Sequence, residues 1–140
     1  MHTLHPGILH HTIVQMQRYI DKSTLDIPEW ESSTGRHISA GEFSLDDGSQ
    51  CVMRPGDTFD LGYDDTRWFR ATVTVPDCMD GEKVYFKADF GGEAIVRING
   101  AIAGALSTEY SGDWHFRNEI LIAESAKAGT VLEIEVEDTV

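Results

Sequence analysis

The chain has 140 residues, the size of one domain with a core of its own. Its 24 acidic against 11 basic residues leave a net charge of −13, which repels nucleic acid and anionic membrane and excludes both as general partners. Cys51 and Cys78 fit no Cys-x-x-Cys spacing, so zinc-ribbon and dithiol redox readings fall away and two free thiols in a reducing compartment are expected.

The N-terminus, MHTLHPGILHHTIVQM, has no basic segment followed by a long apolar run, so it is not a secretory signal. No apolar stretch reaches bilayer-spanning length, and a soluble cytoplasmic protein is the expectation. The first predicted element is a helix over about residues 7–21. Leu9, Ile13, Met16 and Ile20 form one helical stripe, and Pro6 suits the first turn. The stripe is narrow, so the helix is expected to cover either the sheet of this domain or a neighbouring domain.

Residues 23–41 read as a connector, extended or turning at Ile27-Pro28. Trp30 stands in it without periodic context, as an anchor packed on the body of the domain or, more sharply, as a sugar-stacking platform. Residues 1–41 thus form a helix and connector, and residues 42–140 a β-sandwich. Short strands are expected near 42–45 and 50–53, with a turn at Asp46-Asp47-Gly48.

From Trp68 the alternation is clear. Phe69, Ala71, Val73 and Val75 point one way, and Pro76 ends the strand because it cannot donate to a ladder. Val84, Phe86, Ala88 and Phe90 repeat the pattern, Gly91-Gly92 turns the chain, and Ala94, Val96 and Ile98 form the next inward set. Asn99-Gly100 is a strong hairpin signal, since both residues tolerate positive φ. Residues 101–106 return, with Ala103, Gly104 and Ala105 small enough for another segment to approach closely. Residues 115–122 and 130–137 are the last two strands. In the final one Leu132, Ile134 and Val136 alternate with an outward row of Glu133, Glu135 and Glu137 that keeps its face wet. The expected fold is mainly β: an antiparallel β-sandwich of jelly-roll (galactose-binding-like) type, with seven or eight strands and an N-terminal α-helix.

No catalytic constellation emerges. His2, His5, His10 and His11 lack the spacing and acidic support of a metal site. The carboxylates Asp57, Asp60, Asp64, Asp65, Glu93, Glu109 and Asp113 are too many to single out an acid–base pair, and the aspartates among residues 57–65 do not follow the EF-hand order. There is no Gly-x-Ser-x-Gly and no phosphate-cradling loop before a helix. The trio Asp113, Trp114 and His115 reads either as a contact site or as a strand start with one core aromatic and a hydrogen-bonded histidine.

The order of motifs resembles the N-terminal β-sandwich domain of the α-mannosidases of glycoside hydrolase family 38. The carriers are Trp68-Phe69 opening a strand that ends in Val75-Pro76, then Gly92-Glu93, Asn99-Gly100 and Gly104, then Asp113, His115 and Glu119. Tyr19-Ile20 and Ile27-Pro28-Glu29-Trp30 resemble the cytoplasmic branch of that family. The resemblance implies a domain without catalytic, cofactor or metal residues of its own. Catalysis in such enzymes lies in a separate α/β barrel, where a carboxylate nucleophile and a divalent metal, usually zinc, act on the mannosyl bond. The short His-x-Asp signature of that metal site is not among these residues. The implied partners are the catalytic domain of the parent enzyme and, at Trp30, Trp114 and His115, a glycan or the neighbouring domain, with a homo-oligomer as a further expectation. Two alternatives stand beside it: an autonomous carbohydrate-binding module, which needs exposed tryptophans in one concavity, and the sugar-binding sandwich of a β-galactosidase-like enzyme.

Overall fold

A computed structural model describes residues 15–16, 21–39, 42–59, 65–108 and 117–139. Gln15 and Met16 are helical; Asp21 is not, and the rest of the predicted N-terminal helix lies outside the described residues.

Nine strands occur among the described residues: β1 Trp30–Ser39, β2 Glu42–Leu45, β3 Cys51–Met53, β4 Thr66–Thr74, β5 Val84–Lys87, β6 Glu93–Ile98, β7 Ala101–Ser107, β8 Glu119–Ala123 and β9 Val131–Thr139. Seven form one antiparallel sheet in the order β2-β1-β4-β9-β6-β7, with β3 paired to β1; β5 and β8 form a second sheet of two. The stretch expected as a connector thus holds a ten-residue strand, second from one end of the large sheet. Its sequence, WESSTGRHIS, alternates among polar residues, so a hydropathy pattern could not reveal it. Ladder pairing to β2, β3 and β4 supplies what side-chain burial does not.

The alternation read from Trp68 onward places the core correctly. Phe69, Phe86, Ala94, Val96, Leu106, Ile120, Ile134 and Val136 are buried between the sheets, with Ala71, Val73, Ala88, Phe90 and Leu132 packed against them. Residues directly opposite on one face of a ladder share that burial, so β4 and β9 pair Phe69 with Val136 and Ala71 with Ile134. The hairpin β6–β7 turns on Asn99 at φ 49° and Gly100 at φ 81°. The Asn99 side chain also accepts a hydrogen bond from the Glu133 N–H at 2.9 Å, tying the turn to β9. At Gly104 an added Cβ would stand 3.2 Å from Ile120 Cγ2, so the small residue lets β8 pack down onto β7.

Gly35 meets the tightest constraint. A Cβ there would lie 2.2 Å from the Ser44 carbonyl oxygen and 2.9 Å from the Leu45 Cα, both rigid backbone. Gly35→Ala is expected to force β1 and β2 apart and cost about 1–3 kcal/mol, the usual range for overpacking. Chemical denaturation should show a lowered midpoint with an unchanged slope; an unaltered midpoint would contradict this packing.

Candidate functional site

The inner face of the large sheet is wider than the two-stranded sheet that covers it. The uncovered part forms a cleft of about 1140 Å³. Trp30, Phe69, Val73, Val75, Phe86 and Ile134 line its apolar wall, and residues 21–28 run along its border. Two ion pairs fasten that border: Lys22 to Glu82, and Arg54 to Glu29 at 2.6 Å.

Trp30 is 8% exposed and packs edge-on against Phe86 and Phe90, with centroids 6.0 and 5.8 Å apart. Trp68 is 1% exposed. A stacking platform needs an open ring face, and neither of the two described tryptophans presents one. Trp114 and His115 lie outside the described residues, as do Asp60, Asp64, Glu109 and Asp113. Asp57 accepts a hydrogen bond from the Arg54 N–H at 2.8 Å and shapes a turn, and Asp65 pairs with Arg36 at 3.0 Å. Among the described residues no three His, Cys, Asp or Glu side chains stand together as a metal site would require. Cys51 and Cys78 are both exposed and free.

The outer face of the large sheet differs from its expected wet row of glutamates. Glu137 is 6% exposed and lies directly opposite Trp68. Its carboxylate accepts from His37 Nε2 at 2.7 Å and from Arg97 at 2.8 Å. Glu135 binds Arg70 at 2.8 Å and Arg97 at 3.6 Å. The result is an ionic ladder across four strands: His37 on β1, Arg70 on β4, Glu135 and Glu137 on β9, Arg97 on β6. Glu137 is its buried member, beside a ring cluster in which Phe43 stacks on Trp68 at 4.7 Å and His37 lies 5.6 Å from the same ring; His37, Arg70, Arg97 and Glu135 stay partly exposed. Sequence reasoning missed His37 because its strand was read as a connector. The available signal was parity with Ser33, which faces Trp68 across the β1–β4 ladder.

A second charge is buried on the inner face. Asp138 follows Leu132, Ile134 and Val136 in the inward parity of β9 and is 2% exposed. Burial pushes its carboxyl up to about 7, opposed by the attraction of Arg67, its cross-strand partner. One of its oxygens has no hydrogen-bond partner, and neither does the Thr108 hydroxyl. Arg67 turns instead toward Ser32, at 3.1 Å, with its guanidinium 4.9 Å over the Phe59 ring.

Two facing antiparallel sheets with a shared apolar core define a β-sandwich. Residues 24–139 match the family model described as "Alpha-mannosidase, jelly roll domain". The chain belongs to that family, as the ordered motifs from Trp68 to Glu119 led one to expect. Neither the curated proteins nor the solved structures yield a match.

Proposed function

We propose that this chain is a non-catalytic accessory domain of a cytoplasmic α-mannosidase of glycoside hydrolase family 38. In this reading it packs on the catalytic barrel, where the nucleophile and the zinc reside, and shapes substrate access or subunit contacts. The family match over residues 24–139 carries the reading. The cleft supports it, because an inner sheet face left partly uncovered gains stability from an apolar neighbour. Tyr85 and Leu121 support it too: they are exposed and directly opposite each other on the outer face of the two-stranded sheet.

The test is hydrolysis of an aryl α-mannoside. The chain alone is expected to give no turnover above buffer, whereas a polypeptide that joins it to the barrel is expected to turn the substrate over. Mannoside hydrolysis by the chain alone would overturn the reading.

A further inference from the structure

Among the described residues the two-stranded sheet has an open edge along the cleft. Just past β5 the Ala88 N–H bonds to the Asn118 carbonyl at 2.9 Å, and Phe86 pairs with Ile120 two residues earlier. An antiparallel strand presents alternate residues to its two sides, so the N–H and C=O groups of Lys87, and of Tyr85 just after the register shift that separates it from Val84, point away from β8. Among the described residues no strand pairs with that side of β5. The border segment 21–28 makes no backbone hydrogen bond to it either. The open edge and the apolar cleft are adjacent: Val84, Tyr85, Phe86 and Lys87 line the same opening as Phe69 and Val75.

We infer that the free edge of β5 is a strand-docking site, which receives an extended segment alternating apolar and polar residues from the part of the enzyme outside this chain. Backbone pairing to Tyr85 and Lys87 would hold such a segment, and its apolar side chains would fall into the cleft over the inner face of β4 and β9. A second copy of this chain is the wrong occupant. Antiparallel self-pairing centred on Tyr85 would set Lys83 against Lys87 twice on one face, and it would join two chains of net charge −13. Lys83 already pairs with Glu124 at 3.1 Å, so Lys87 is the edge cation that favours a strand bringing an acidic residue opposite it. The inference rests on the accessory-domain reading for the source of the strand.

Amide hydrogen exchange tests it, comparing this chain alone with the same chain inside the mannosidase polypeptide. The Tyr85 and Lys87 amides are expected to exchange at least 100-fold more slowly in the enzyme, while Phe86 and Ala88 are protected in both. Equal exchange of Tyr85 and Lys87 in the two forms overturns the proposal, even if the enzyme hydrolyses mannosides. Protection in a polypeptide lacking mannosidase activity supports the docking edge and removes the accessory reading instead. A second arm uses Lys87→Pro, which removes only an N–H facing the open edge. It should leave the far-ultraviolet circular dichroism of the chain unchanged and weaken capture of the separately expressed catalytic module at least tenfold. Unweakened capture overturns the proposal, and so does a stable dimer of the chain alone in sedimentation. If Lys87→Pro fails to fold, Lys87→Glu replaces it, with the same weakening expected from charge reversal at the edge.

Discussion

Replacing Arg97 by alanine is expected to destabilise the domain by about 3 kcal/mol, because it strips a buried carboxylate of its cation. Glu137 is nearly inaccessible, and Arg97 supplies its shortest contact to a fixed positive charge, at 2.8 Å. Water replaces the lost partner poorly, since Glu137 is 6% exposed and the ring of Trp68, with Phe43 and His37 against it, flanks the site. His37 can still donate to Glu137, but it carries a charge only when protonated. The cost should fall sharply when Glu137 is already glutamine, because no stranded charge then remains. A double-mutant cycle in urea should therefore give a coupling of on the order of 1–3 kcal/mol. Additive single and double variants would show that the ladder is a solvated surface array, whose pairs are worth little.

Asp138→Asn is expected to stabilise the domain at pH 8 and to have little effect near pH 4. The sign follows from the folded carboxyl titrating at about 7 against an ordinary 3.8. Well below 3.8 the group is protonated whether the chain is folded or not, so it adds no pH dependence. As pH rises from about 4 to 7 the unfolded chain releases this proton first, and stability is lost across that window. Above 7 the folded domain bears the full cost of a buried carboxylate that Arg67 only partly offsets. That cost is on the order of 4 kcal/mol at most, and asparagine removes it while keeping the shape of the side chain. Denaturation midpoints of the two proteins should converge at acid pH and diverge toward pH 8. Parallel midpoint-against-pH curves would contradict the buried placement of Asp138.

Both expectations concern β9, the strand whose sequence looked simplest. Leu132, Ile134 and Val136 showed which face turns inward. The same parity, carried two residues further, puts a carboxylate at Asp138 on the core side. The alternation also marked Glu135 and Glu137 as outward but could not say that the outward face is covered. Cover comes from Phe43 on β2 and His37 on β1, which lie about a hundred residues earlier and reach β9 only through the sheet order β2-β1-β4-β9. The candidate contact residues divide in the same way. Trp30 was legible as an anchor, but its partners Phe86 and Phe90 come from a strand and loop far along the chain.

By itself, the sequence determined the antiparallel class, the inward sets of β4, β5, β6 and β9, the Asn99-Gly100 hairpin and the family. These rest on local physics: a side-chain period of two, the φ values a turn demands, and motifs in order. Only the tertiary structure decided that a polar connector is strand β1, that the sheets divide seven to two, and that Glu137 and Asp138 are buried. Those outcomes depend on which strands become neighbours. Strand neighbourhood is set by the joint burial of distant residues and the pairing of backbone groups, and neither leaves a mark in a local stretch of sequence.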